Sequence, residues 1–482
     1  MNAPAITRDG ASSGALPAPT FAVLVCGLGL YMGWQTVGIS PTLFPQPHAG
    51  IPELIETTSY LQTALFLALL AVVAWFANKR GNLLSSKPLV AAAAVLVCSS
   101  SACTYLCGWV LDIPAGVVAG TVLNASKAAL LLLWAECLCR VRFRDALLCV
   151  SLAYAVVFAL CLLVAGLQPV PALITHSVLP LLSGGALLVL RSDQAFYALQ
   201  SPLPHEAKPL SRLPLRLFVG VGIFGAVILF TNTLSETKSS AAAELYTLLA
   251  GLAVSLFIAV FATRRSEKID FTFLYRTLTP LIIASIIPVL TLESGHQQYE
   301  AFVIGVGWTF FRIFTWTLWC SIALRSRVPA ACVFAAGQFA LTACSTIAQI
   351  TCDAVLPAID MPFPVMISGV IVLTVGTSAF VMSESDIKRF FEKRKTAKRK
   401  PDTDESFTLC VQLAAQEYGL SKREEEIAEL VIKDKNNAVI QERLCITEST
   451  LRTHLRNIYG KTSVHSRREL VDLLHSYIED DA

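Results

Sequence analysis

Charge is what this sequence has least of. Asp, Glu, Lys and Arg make up 15% of its 482 residues, against roughly a quarter in a soluble chain of ordinary composition. A mean hydropathy of +0.60 goes with that shortage, and together they argue against a single water-soluble enzyme or carrier. The deficit is uneven. Apolar runs fill the chain from Thr20 to Met382, and charge returns in force after Ser383, so the net charge of +3 averages two unlike parts. Motifs for metal, redox and phosphate chemistry are missing as well. The fourteen cysteines include no CxxC pair. Cys26, Cys98, Cys103, Cys149, Cys161, Cys320, Cys332 and Cys344 sit within apolar runs and read as small buried hydrophobes. No P-loop, kinase-like glycine-rich loop or HExxH segment occurs, so the expectation is a chain that is no enzyme and carries no cofactor. Met1–Pro19 lacks the basic start and small-residue cleavage site of a signal peptide and reads as a disordered tail, 1–19.

What is abundant is apolar length. A spanning helix needs about 20 mostly apolar residues. Such runs predict an all-α, polytopic membrane bundle over 20–382, with about twelve spans near 20–39, 58–78, 88–106, 113–135, 145–166, 170–190, 215–234, 242–263, 272–292, 301–324, 328–352 and 361–382. Basic residues fall in alternate loops: Lys79, Arg80 and Lys87; Arg140, Arg142 and Arg144; Arg191, Lys208, Arg212 and Arg216; Arg264, Arg265 and Lys268; Arg325 and Arg327. The other loops carry Lys238 alone, with acids such as Glu53, Glu56, Glu293 and Asp353. Positive charge resists translocation, so both termini are expected in the cytoplasm, with the bundle in a cytoplasmic membrane. The long loop Arg191–Pro214 would divide the spans six and six, which resembles the major facilitator superfamily, whose halves are internal repeats. Cys26-Gly27-Leu28-Gly29 in span one and Val219-Gly220-Val221-Gly222 in span seven give a faint repeat, although glycines also serve simply as tight packing faces.

Past Met382, Lys388, Arg389, Lys393, Arg394, Lys395, Lys398, Arg399 and Lys400 form a basic cluster. It suits either anionic lipid headgroups or a flank that only fixes topology. Pro401–Ser406 reads as a polar linker, and 383–417 as a juxtamembrane segment. Residues 418–482 then show four short helices. Ser421-Lys422-Arg423-Glu424 and Ser466-Arg467-Arg468-Glu469 are capping boxes. Asn437–Leu444 fits a second helix, and Thr447 caps a third whose inward residues are Leu451, Leu455 and Ile458. A three-residue turn between the second and third makes a helix-turn-helix.

These residues resemble the LuxR-type DNA-binding domain, through Leu420–Ile427, Asn437–Leu444, Thr447–Tyr459, and Lys461, Val464, Ser466 and Arg467. Asp434 stands where the family usually has Gly, Gln441 where it has Ala, and Thr462 where it has Leu. The resemblance implies double-stranded DNA as partner and a homodimer on DNA, with helix four and an exposed Val471 as the contact. It also implies Arg452, Thr453 and Arg456 as base-facing residues, and 452 and 456 share the face opposite the inward leucines. Thr450, Lys461, Ser466 and Arg467 are the phosphate candidates.

No receiver domain precedes this module, so the membrane domain itself is expected to supply the input: a one-component regulator responding to a small-molecule inducer, or a transporter carrying a DNA-binding domain. Two charges lie in mid-span, Lys127 in span four and Arg312 in span ten, where each is expensive and usually marks a functional path. Trp308, Arg312, Trp316 and Trp319 share a helical face, as do Gly120, Asn124, Lys127, Leu131 and Trp134; Trp34 and Gln35 join from span one. Two cations among aromatic rings suit an anionic, aromatic ligand. Pairing of each cation with a buried acid or carbonyl is the alternative.

Overall fold

The structure, a computed structural model, describes residues 16–37, 51–80, 86–107, 113–167, 169–194, 214–236, 241–264, 271–291, 297–326, 328–355, 363–381, 403–433 and 436–479, with a few isolated positions between. The basic cluster, Lys208, Arg212, Lys238 and Asp434 lie outside the described residues. The chain divides into two compact units, 1–387 and 388–482.

The first unit begins with α1 (Ala18–Val37), α2 (Ile51–Arg80), α3 (Lys87–Tyr105), α4 (Pro114–Asn124), α5 (Lys127–Leu138), α6 (Phe143–Ala165) and α7 (Pro169–Ser192). It continues with α8 (Leu215–Glu236), α9 (Ala241–Arg264), α10 (Phe271–Thr291), α11 (Gln297–Ser326), α12 (Ala330–Ile350) and α13 (Phe363–Gly376). Single π-helical turns, Thr351–Val355 and Thr377–Val381, extend α12 and α13. Ten segments are long and apolar enough to cross a membrane, and Leu274–Pro288 and Val365–Val381 are shorter apolar helices. With α4 and α5 counted as one, this makes twelve spans among the described residues. Large apolar side chains such as Trp75, Phe257 and Phe380 are exposed on the outer faces, as lipid contact requires.

The packing repeats. In the first half span 1 packs on spans 5 and 6, span 3 on 4 and 6, and span 2 on 4. In the second half span 7 packs on 11 and 12, span 9 on 10 and 12, and span 8 on 10. Contacts across the halves repeat likewise: span 2 with 11 matches span 8 with 5, and span 4 with 11 matches span 10 with 5. The paired glycines occupy equivalent places in this scheme. A Cβ on Gly29 would stand 3.1 Å from the Ala153 carbonyl in span 5, and one on Gly222 would stand 2.9 Å from the Ala340 carbonyl in span 11. The faint sequence repeat is therefore a repeated packing face.

Span four differs from the continuous helix read from the sequence. Between α4 and α5 the amides of Ala125, Ser126, Ala128 and Ala129 bond three residues back, at 3.0–3.2 Å. The Ser126 hydroxyl donates to the Leu123 carbonyl at 2.6 Å, and the Asn124 side-chain carbonyl accepts from Gln62 Nε2 at 2.6 Å. Short polar side chains offer the backbone alternatives to the α ladder, and the turn tightens to 3₁₀ in mid-span. The cysteines also divide. Cys149, Cys161, Cys320 and Cys332 are buried, Cys98, Cys103 and Cys344 are half-buried, and Cys26 is exposed on the bundle surface. Facing lipid, that last thiol remains in an apolar medium.

Among the described residues the second unit has five helices: α14 (Thr403–Tyr418), α15 (Lys422–Ile432), α16 (Asn437–Leu444), α17 (Glu448–Thr462) and α18 (Arg467–Glu479). Its core joins Ile427, Val431, Ile440, Leu451, Leu455, Ile458, Leu470 and Leu474. The stretch read as polar linker is instead helical from Thr403, and Val411 and Ala414 of α14 belong to that core. The polar residues before position 410 concealed it, because the inward stripe is short. The reversal between α14 and α15 needs Gly419, at φ +61°. Ser421 and Glu424 form the expected capping box: the Ser421 amide donates to Glu424 Oε2 at 2.8 Å, and the Glu424 amide to Ser421 Oγ at 3.4 Å. Thr447 caps α17 by accepting the Thr450 amide at 3.3 Å.

Candidate nucleic-acid interface and membrane cavity

The recognition helix α17 turns Leu451, Leu455 and Ile458 inward and leaves Arg452, Thr453, Arg456 and Asn457 exposed. Arg452 Nη2 pairs with Glu448 at 2.7 Å, an exposed bridge that water readily exchanges. Thr453 is turned onto its own helix, its hydroxyl donating to the Ser449 carbonyl at 2.9 Å. Thr450 Oγ1 lies 2.8 Å from Thr447 Oγ1 at the helix start. Of the phosphate candidates, Arg467 donates to Asn437 Oδ1 at 3.1 Å and so spans from α18 to α16. The Ser466 hydroxyl donates to Glu469 at 2.9 Å; a bond from the His465 amide, and then this one, hold the Glu469 carboxyl below its usual range. Lys461 is engaged inside the domain. Its Nζ donates to the Gly419 carbonyl at 3.0 Å and to Glu424 at 2.7 Å. Burial raises the Glu424 carboxyl, but bonds from Lys461 and Ser421 and the Lys461 charge outweigh it and hold it below the usual range. Val471, expected exposed, is half-buried against the core.

In the membrane unit a cavity of about 820 Å³ lies between the two halves, within the range of small-molecule sites. Trp34, Gln35, Asn124, Lys127, Trp308, Arg312 and Trp316 all line it. Lys127 opens α5 just after the 3₁₀ turn, and its Nζ stands 5.1 Å from the centre of the Phe66 ring. The Arg312 guanidinium lies 4.5 Å over Trp308, and its Nη1 donates to Thr36 Oγ1 at 3.4 Å. Neither cation has a carboxylate at ion-pair distance among the described residues. The ends of the span-four stripe leave the cavity. Gly120 packs on Thr104 of α3, and Trp134 on Gly27 of α1.

Further polar residues that the sequence did not assign to the site also line it, among them Tyr105, Tyr154, His176, Gln338, Gln349 and Asp353. His176 is buried, with Nε2 2.9 Å from the Trp34 carbonyl. Trp34 Nε1 in turn donates to Ser101 Oγ at 2.8 Å, so the wall at Trp34 is fixed from two sides. Asp353 accepts two bonds from Gln349, at 2.8 and 3.0 Å. A single polar residue on an apolar helix announces no face by spacing; only the packing shows which way each points.

The helix-turn-helix region matches the family model of bacterial regulatory proteins, luxR family, over residues 419–474. Over 52 residues it is 40% identical to the spore germination protein GerE of Bacillus subtilis, covering 70% of that protein and 11% of this chain. The chain belongs to the luxR family of bacterial regulatory proteins. It is also 46% identical over 52 residues to the monoamine regulon transcriptional regulator of Klebsiella aerogenes, of which it spans 23%. Among solved structures, the major facilitator transporter FucP in the outward conformation matches 74% of this chain and 98% of its own, at 11% identity and a TM-score of 0.47. A point variant of the E. coli fucose:proton symporter FucP matches 75% and 99%, at 10% identity and a TM-score of 0.46.

The chain therefore carries a luxR-type DNA-binding domain on a multi-pass membrane protein. Its two described departures are accommodated locally. Thr462 is buried and satisfies its hydroxyl on the Ile458 carbonyl at 2.7 Å. Gln441 is half-buried, and its backbone carbonyl accepts the Ile446 amide at 3.1 Å across the turn.

Proposed function

We propose that the chain is a one-component, non-enzymatic transcription regulator of the bacterial inner membrane, with both termini cytoplasmic. Its membrane unit senses a small anionic, aromatic ligand, and its luxR-type domain acts on DNA as a homodimer. One observation carries the reading: Lys127 and Arg312 face a common cavity with aromatic rings beside them and, among the described residues, no carboxylate paired to either. A cation at mid-span depth without a counter-ion is costly, and an aryl carboxylate would offset that cost while stacking on Trp308 or Trp316. The base-reading side chains are assigned to Arg452, Thr453 and Arg456, with Thr450, Ser466 and Arg467 at phosphates.

The test uses a reporter promoter bound by the domain and a panel of aryl carboxylates as inducers. Lys127→Met and Arg312→Met should abolish induction while leaving DNA binding intact. Unchanged half-maximal concentrations in both variants would make the cations structural. The two-half arrangement around a central cavity also suits transport, in which case purified protein in liposomes would accumulate the labelled inducer.

A further inference from the structure

Among the described residues, the cavity reaches helix ends on one side of the bundle only. Trp34 and Gln35 lie in the last turn of α1, Tyr105 ends α3, and Asp353 follows α12. None of the described cavity residues lies in the terminal turn at the opposite end of a lining span. That opposite end is bridged across the halves. Arg144, in the first turn of α6, donates from Nε to the Ala262 carbonyl at 3.2 Å and from Nη2 to the Thr263 carbonyl at 3.5 Å. These are last-turn carbonyls of α9, where a guanidinium is favoured by the helix dipole. The Cys332 thiol of α12 bonds the Ala74 carbonyl of α2 at 3.5 Å. The α2–α3 connection is held as well, since Glu136 Oε2 accepts the amides of Leu83 and Leu84 at 2.7 and 3.2 Å.

The two sides can be assigned. The last span leads into a DNA-binding domain, so its C-terminal end faces the cytoplasm. Alternation back through the twelve spans puts the C-terminal ends of α1, α3 and α12 on the other side. The geometry points to a sensor loaded from outside the cytoplasm: the Lys127–Arg312 cavity is open to the extracytoplasmic face, and Arg144 bridges the halves at the cytoplasmic face. A small organic anion is then detected without having to enter the cell. The cavity's purpose rests on the ligand-sensing reading, but its side of access does not.

The test places single cysteines on the cavity wall, Thr346→Cys and Gln62→Cys, in the full chain. The probe is a sulfonated, membrane-impermeant maleimide, and the signal is the gain over the parent chain. Both positions should label at least tenfold faster in right-side-out spheroplasts than in inside-out vesicles. Faster labelling of both in inside-out vesicles would overturn the inference, and so would the absence of any gain on either side. In the same background Arg144→Ala should raise inside-out labelling several-fold, and Arg144→Lys should hold it low; no change with Arg144→Ala would remove that residue as the bridge. Outside labelling together with a promoter deaf to every aryl carboxylate would sink the ligand reading and leave the side of access standing.

Discussion

Replacing Lys461 with alanine separates a structural tie from a DNA contact. The Lys461 side chain is 40% exposed and that of its Glu424 partner only 5%, so truncation leaves a buried carboxylate with the Ser421 bonds alone. A hydrogen bond to a charged group is worth about 1.5–3 kcal/mol, and the solvated lysine end screens part of that. The expected loss is about 1–2 kcal/mol for a domain of this size, or roughly 5–15 °C in melting temperature. Urea unfolding of residues 388–482, a unit with its own core, is the assay. Glu424→Gln should make the two losses non-additive by about 1 kcal/mol in a double-mutant cycle. The pH dependence has a definite sign. The folded Glu424 carboxyl is lowered, so its contribution is present above the unfolded carboxylate pKa and is lost as pH falls through the folded value. If Lys461→Ala instead leaves stability unchanged and flattens the salt slope of DNA binding by about 0.9 per contact, the lysine serves phosphate and the tie is incidental.

Three further outcomes are expected. Arg452→Ala and Arg456→Ala should each cost about 1–3 kcal/mol of specific binding in footprint titrations, and wild-type footprints for both would mean that α17 is not the reading helix. Gly419→Ala should destabilise the DNA-binding domain by about 1 kcal/mol through its left-handed backbone alone, since no atom crowds an added Cβ there; an unchanged melting temperature would refute this. Reporter fusions after Arg80, Arg144 and Arg265 should read as cytoplasmic and those after Glu53, Lys238 and Asp353 as external, and reversal at the later sites alone would mean a miscounted span.

The spans were legible in the sequence because twenty apolar residues have few other uses, and the helix-turn-helix because its caps and inward leucines are local signals. Trp308, Arg312 and Trp316 could be placed on one face from their spacing along α11. The break at Asn124–Ser126 was not legible, since it depends on Gln62 arriving from another helix. Nor was α14, whose Val411 and Ala414 make an inward stripe too short to stand out. The engagement of Lys461 likewise needed the reversal at Gly419 to bring residues 42 apart together.

A DNA-binding domain on the same chain as twelve spans changes how its operator is found. A soluble regulator diffuses through the cell volume and slides along the chromosome. This one moves only in the plane of the bilayer, so the encounter waits on the chromosomal locus approaching the membrane. Its occupancy depends on the locus's distance from the envelope as well as on affinity. If the domain acts on DNA as the proposed homodimer, pairing of two copies becomes an encounter in two dimensions, where surface density, and so expression level, sets the supply of dimers. Moving an operator to a different chromosomal position should therefore alter its regulation with no change in sequence.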